Sequence, residues 1–226
     1  MNFLSHYYFD RNNANPYQVL GALLPDFVKN ANKQWNIYPE KKNINLFSQH
    51  NHWHILNGWK KHLEVDKIFH SSDFFLHHQH QLKLELLELL KTTAIKPFFL
   101  AHIGLELLLD SLLLTQKLIK VDNLYHQLNQ VNDYDLLMFL EINQIEDVSK
   151  FFKFYNSFKS EKYLLAYADD DKISYSLKRI CMRVWDTPLT QKQESQLTVI
   201  LSDYKLKLSQ NFIFIFAHVA QSLNND

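Results

Sequence analysis

Ionisable residues recur four positions apart in two segments of the chain. The two sets are His62, Asp66 and His70 in one segment and His102, Glu106 and Asp110 in the other. Each helical residue turns by about 100°, so positions i, i+4 and i+8 fall within roughly 80° of arc. The spacing therefore predicts two helices, each with imidazole and carboxylate groups along one face.

The second set lies in a segment that is rich in leucine from Ile103 to Leu114. A helix that is apolar nearly all round is expected to be buried, and buried imidazole and carboxylate groups are costly unless they are paired or bind a cation. A divalent metal ion with mixed imidazole and carboxylate ligands would satisfy these groups. Two alternatives stay open: an exposed ion pair between His62 and Asp66, and a buried hydrogen-bond network on the second helix.

Two further polar residues interrupt apolar segments. His6 lies between Phe3-Leu4 and Tyr7-Tyr8-Phe9, and Asp26 lies between Leu24-Pro25 and Phe27-Val28. Either residue could be a capping or surface group, and either could join a metal site. The histidine tracts at 50–54 and 77–80 are spaced by two or fewer in most pairs, and we expect them on the surface, without a shared structural ion.

Composition predicts that the elements carrying these groups are helices. The chain has 226 residues, 46% of them hydrophobic, with only three Gly and five Pro, which favours one all-α domain over residues 1–226. Lys and Arg equal Asp and Glu at 24 each, so no net charge favours nucleic acid or an anionic membrane. We expect a cytoplasmic protein, because no secretory signal is evident and the most apolar run is interrupted by His102, Glu106 and Asp110.

Periodicity predicts about eight or nine helices in a helical bundle, within ten candidate segments. The expected segments are about 2–9, 17–30, 44–69 with a bend at Gly58, 72–90, 96–119, 121–128, 133–140, 145–157, 161–184 and 190–223. Aromatic residues concentrate at 151–158 and 212–216, where we expect core packing, with an interaction surface as the alternative.

Several motifs, in order, resemble the acyl-carrier-protein phosphodiesterase family. The start Asn2-Phe3-Leu4-Ser5-His6 resembles the family's Asn-Phe-Leu-Ala-His, and Gly21 to Phe27 resembles its Gly-Asn-Leu-Leu-Ala-Asp-Phe. Gly58 with His62 and Asp66 matches Gly-x3-His-x3-Asp, and Glu106 to Asp110 lies where the family has Asp-x3-Asp.

This resemblance implies a fold similar to the HD-type metal-dependent phosphohydrolases. It implies hydrolysis of a phosphodiester, namely release of 4′-phosphopantetheine from acyl carrier protein, with Mn²⁺ as the usual metal and Zn²⁺, Fe²⁺ or Mg²⁺ as alternatives. The expected metal ligands are His6, Asp26, His62, Asp66 and Asp110. We add His70, His102 and Glu106 as catalytic residues, with His70 or His102 moving a proton to the leaving alkoxide. The expected partner is acyl carrier protein or a small phosphodiester.

The chain departs from the family pattern at several positions. Ala22 replaces an Asn, His70 an Asp and Ser111 a His, and Leu63 and Glu64 replace arginines that could engage phosphate or an acidic carrier protein. The alternative function is therefore a catalytically inactive helical relative that acts as a binding protein.

Overall fold

The computed structural model describes residues 1–186 and 189–224, and these residues form helices and no β-strand. The α-helices are α1 (Phe3–Asp10), α2 (Pro16–Ala31), α3 (His50–Ser71), α4 (Asp73–Leu90), α5 (Pro97–Thr115), α6 (Val121–Gln130), α7 (Asp133–Ile142), α8 (Val148–Glu161), α9 (Asp170–Cys181), α10 (Gln191–Leu208) and α11 (Ile213–Leu223). Short 3₁₀ helices span Pro39–Lys41, Ile44–Phe47 and Tyr163–Ala168. The all-α prediction is confirmed, and likeness to HD-type folds stays a prediction.

Three of the predicted helices are wrong as single elements. The segment predicted at 44–69 is a 3₁₀ helix followed by α3, and the one at 161–184 is a 3₁₀ helix followed by α9. The segment at 190–223 is divided into α10 and α11. Apolar periodicity continues across these breaks, so it could not reveal where the backbone leaves the α-helical path.

Helix starts follow the polar residues that precede them. The Asn15 side chain accepts hydrogen bonds from the backbone N–H groups of Tyr17 and Gln18, and Pro16 occupies the first position of α2. The Phe75 N–H donates to Ser72 Oγ at 3.1 Å. These caps satisfy N–H groups that have no partner within their own helix, and they define the ends of α2 and α4.

The chain groups into two compact units. Unit 1 comprises Met1–Ser5, Lys67–Leu118 and Leu165–Asp226, and unit 2 comprises His6–Asp66 and Ile119–Leu164. This division does not test whether residues 1–226 form one domain, so that expectation stays a prediction.

In unit 1, α5 packs against α4, α9 and α10. Among the described residues, α5 alone is long and apolar enough to cross a membrane, with a mean hydropathy of 1.7 over an 18-residue window. However, 61% of that window is buried inside the protein, so α5 has the position of a core helix. Because this helix is buried, its polar residues are costly unless each has a partner or binds a cation.

In unit 2, α2 packs against α6 and α8, with aromatic rings between α2 and α8. The ring centroid of Phe27 is 5.3 Å from that of Tyr155 and 4.7 Å from that of Phe158. Core packing is confirmed for the buried aromatic residues of the stretch 151–158, namely Phe151, Tyr155 and Phe158, and in unit 1 for Phe212 and Phe216. Phe214 differs, with 68% of its surface exposed.

Two glycines allow α2 and α3 to approach closely within unit 2. A Cβ atom added at Gly21 would overlap the carbonyl oxygen of Ile55 and lie 3.0 Å from the Cα of Gly58. A Cβ atom added at Gly58 would overlap the carbonyl oxygen of Gln18. Gly58 therefore serves a helix crossing, where the sequence had suggested only a weak point for a bend.

We predict that Gly21→Ala lowers the free energy of unfolding by at least about 2 kcal/mol, because backbone atoms must move to admit the methyl group. Gly104→Ala is the matched control. Its added Cβ would be 3.5 Å from Leu82 Cδ2, an ordinary contact, so alanine should stabilise α5 by up to about 1 kcal/mol. Urea unfolding of both variants checks the pair, and equal stability of G21A and the unmodified protein would contradict the crossing.

Candidate metal centre

Three predicted site residues come together in unit 2, and we name them the Asp66 cluster: His6 on α1, and His62 and Asp66 on α3. Asp66 Oδ1 is 3.2 Å from His6 Nε2, and Asp66 Oδ2 is 3.5 Å from His62 Nε2. One suitable ligand atom from each residue lies within 4.8 Å of the others, close enough for a shared metal ion. The spacing of four between His62 and Asp66 therefore gives a convergent pair, and α1 adds the third group.

A backbone carbonyl orients His62. Its Nδ1 is 2.8 Å from the carbonyl oxygen of Ala22, which can only accept, so Nδ1 carries the proton and donates. Metal-binding histidines usually donate their second ring N–H to such an acceptor, which leaves the other nitrogen for the ion. Because the backbone makes this bond, it does not depend on the side chain at position 22.

The charges of the Asp66 cluster depend on burial and on mutual contacts. Burial, with a smaller contribution from His62, lowers the pKa of His6 to about 3, so His6 is neutral at pH 7. Burial would raise the pKa of Asp66, but contacts with His6 and His62 outweigh it and hold the pKa well below its usual range. Burial also lowers the pKa of His62, yet Asp66 and Asp26 outweigh burial, so the net shift is upward.

His6 is the residue whose bonding is incomplete. It is 1% exposed, and neither ring nitrogen has an aligned hydrogen-bond partner. Its ring stacks on that of His62, with centroids 3.7 Å apart and planes 14° from parallel. An ion lies in the plane of each imidazole that binds it, so joint binding requires the two rings to open away from parallel.

Asp26 is half-buried on α2 and lies near enough for its charge to raise the pKa of His62. It does not belong to the set of atoms within 4.8 Å of one another. Its role as a direct ligand stays a prediction.

The three predicted catalytic residues form a second group in unit 1, the Glu106 cluster: His70, His102 and Glu106. Glu106 Oε1 lies 3.0 Å from His70 Nε2 and 3.2 Å from His102 Nε2, and the backbone nitrogen of Met1 is 3.3 Å from the same oxygen. Burial would raise the pKa of Glu106, but the amino group and both histidines outweigh it and keep the pKa well below its usual range. Their predicted part in proton transfer stays a prediction.

Asp110 lies outside both groups and caps the start of α1 within unit 1. Its carboxylate accepts from the backbone N–H groups of Leu4, at 3.0 Å, and Ser5, at 2.7 Å, and from Ser5 Oγ at 2.6 Å. Complete burial raises the pKa of Asp110 to about 7, although these hydrogen bonds favour the charged form. Sequence spacing placed Asp110 in one row with His102 and Glu106. It could not show that this carboxylate would accept hydrogen bonds from the start of α1.

The prediction of surface placement is wrong for His52. This residue is 1% exposed, and its Nε2 is 3.0 Å from the carbonyl oxygen of Asp135. His50 is exposed, and its Nε2 lies 3.0 Å from Nε2 of the half-buried His54. On α4, His77 and His80 are exposed, whereas His78 is half-buried and contacts Tyr204. A spacing of two places His52 on the side of α3 opposite to His50, and that side is buried, which is why the expectation failed for His52.

We predict that Asp110→Ala lowers the free energy of unfolding by about 3 kcal/mol, because it leaves buried donors of Leu4 and Ser5 without acceptors. Ser5→Ala, which removes one hydroxyl bond, should lower it by about 1 kcal/mol. Thermal or urea unfolding measures both. Equal stability of D110A and the unmodified protein would contradict the capping role, and a loss of bound metal in stably folded Asp110→Asn would restore Asp110 as a ligand.

Comparison of the chain with known protein families, with curated proteins and with solved structures returns no match. The resemblance to acyl-carrier-protein phosphodiesterases accordingly stays a prediction.

Proposed function

We propose that the Asp66 cluster binds a divalent metal ion and that the protein uses this ion to hydrolyse a phosphodiester. The observation that carries the proposal is the buried imidazole of His6, which lacks aligned hydrogen-bond partners and has its Nε2 near Asp66. The contact of His6 Nε2 with Asp66 is not aligned as a hydrogen bond, so the buried ring is only partly satisfied, and a bound cation would complete its bonding.

The distances fit a coordination shell. Ligand atoms around a tetrahedral ion are about 3.3 Å apart when the bonds are about 2.0 Å. The two imidazole nitrogens lie 3.2 and 3.5 Å from their respective Asp66 oxygens, close to that value. The change that binding requires is the opening of the two stacked rings. Metal binding would displace any proton on His62 Nε2, because the ion and the proton use the same lone pair.

Two imidazoles and a carboxylate suit Zn²⁺, Fe²⁺ or Mn²⁺ better than Mg²⁺, which prefers oxygen ligands and water. The family resemblance selects Mn²⁺ as the first ion to test, with Zn²⁺, Fe²⁺ and Mg²⁺ beside it.

A bound divalent ion would neutralise charge on a phosphoryl oxygen and lower the pKa of a coordinated water. The residues of the chain would hold the ion and leave one side open to the substrate. His6 and His62 are buried and hold one side of the site, whereas the Asp66 side chain is 32% exposed. Substrate would therefore approach from the side of Asp66, and Ala22 would keep the His62 ring fixed during the reaction.

The substrate that this surface favours is a small phosphodiester. Leu63 is 40% exposed and Glu64 is half-buried, on the turn of α3 between His62 and Asp66. Neither side chain offers the positive charge that an acidic acyl carrier protein would require. Release of 4′-phosphopantetheine from acyl carrier protein is the substrate implied by resemblance, and it is tested second.

We predict Mn²⁺-dependent hydrolysis of bis(p-nitrophenyl) phosphate by metal-stripped, reloaded protein without a histidine tag. Asp66→Asn should lower kcat/KM by at least about 100-fold, because it removes a charged ligand. The matched control is Asp203→Asn, which makes the same change at an exposed position on α10 and should leave the rate unaltered.

Absence of metal-dependent turnover, or full activity in D66N, overturns the enzymatic proposal. A protein that binds Mn²⁺ at Asp66 but cleaves neither the diester nor holo acyl carrier protein supports the alternative of an inactive binding protein.

A further inference from the structure

We propose that the Glu106 cluster is a second metal site, separate from the Asp66 cluster and selective for Zn²⁺ over Mg²⁺. Its ligands are His70 of α3 and His102 and Glu106 of α5, all of them within unit 1. Two imidazoles with one carboxylate, leaving a further position open, is a ligand set that catalytic zinc sites use.

The separations already approach those of a coordination shell. Both histidines direct Nε2 to the same oxygen, Glu106 Oε1, at 3.0 and 3.2 Å. Ligand atoms around tetrahedral zinc are about 3.3 Å apart for bonds of about 2.0 Å. The three ligand atoms lie within 4.8 Å of one another. The His70 and His102 rings are 18° from parallel, with centroids 5.1 Å apart, so an ion bound in the plane of both rings requires them to open, as at the Asp66 cluster.

Gln79 of α4 orients one of these ligands. Its side-chain amide nitrogen is 3.0 Å from His102 Nδ1, and the residue is 5% exposed. The two ends of an amide are interchangeable by rotation, so Gln79 can instead present its oxygen to an Nδ1–H. That arrangement leaves Nε2 of His102 free for the ion, as in other second-layer contacts to zinc-binding histidines.

The cluster is supported on one side and open on the other. The buried ring of Phe75 makes edge contacts with both imidazoles, at centroid distances of 4.9 Å to His70 and 5.0 Å to His102. The side chains of His70 and His102 are 31% and 33% exposed, so an ion can enter from solvent. Phe75 supports both imidazoles on the buried side, and solvent reaches them on the other side. A water or an anionic ligand could therefore take the remaining position on the ion.

The test is a count of bound zinc in tag-free protein that carries His50→Ala, which removes the surface pair with His54. Equilibrium dialysis against Zn²⁺ followed by elemental analysis should give two ions per chain. Glu106→Gln should give one ion, with the affinity of the lost site lowered at least about 100-fold, and Asp66→Asn should also give one. The double variant should bind none.

His102→Ala provides a second variant at a one-third exposed position, in case E106Q does not fold. Gln79→Leu should weaken only the Glu106 site, by about 10–100-fold. Two ions in both E106Q and H102A would overturn the inference. The second site and the proposed hydrolysis can be distinguished. Loss of activity in D66N with unchanged zinc binding at the Glu106 cluster supports both proposals. Zinc binding at the Glu106 cluster without any turnover supports the second site alone.

Discussion

The close crossing of α2 and α3 at Gly21 and Gly58 is the contact on which the Asp66 cluster depends. Neither glycine can carry a Cβ atom without overlapping backbone of the other helix. This approach brings the carbonyl oxygen of Ala22, the residue after Gly21, to 2.8 Å from His62 Nδ1. The carbonyl fixes the protonated nitrogen of His62, and Nε2 is then left to face Asp66. A packing constraint between two helices thus determines the chemistry of an imidazole one turn further along α3.

The two clusters follow one physical pattern. In each, a carboxylate lies near two imidazoles whose rings are within 18° of parallel, His6 with His62 and His70 with His102. Against the effect of burial, the histidine contacts keep the pKa of Asp66 low, and the amino group of Met1 together with the histidine contacts keeps the pKa of Glu106 low. They differ in burial, because the imidazoles of the Asp66 cluster are almost fully enclosed, whereas those of the Glu106 cluster are about one-third exposed. Enclosure suits tight retention of an ion, and exposure suits exchange with solvent.

Local spacing could predict part of this arrangement. The pairs His62 with Asp66 and His102 with Glu106 are four residues apart, and helical geometry alone brings each pair together. Their third members could not be deduced from spacing. His6 comes from α1, and His70, which spacing had placed in one row with His62 and Asp66, lies instead beside His102 and Glu106. Gln79 gave no signal, since a single glutamine on an apolar face is indistinguishable in sequence from a surface residue. Asp110 matched the spacing but was taken up by the N-terminus of α1, a tertiary contact that periodicity does not encode.

The central claim is that a cation joins His6, His62 and Asp66. The most direct measurement is anomalous X-ray diffraction from crystals grown with Mn²⁺, recorded near the manganese absorption edge. We expect an anomalous peak about 2.0–2.2 Å from both Nε2 atoms and an Asp66 oxygen, with the two imidazole rings opened from their near-parallel stack. Peaks confined to surface histidines such as His50, with His6 and His62 still stacked, would contradict it.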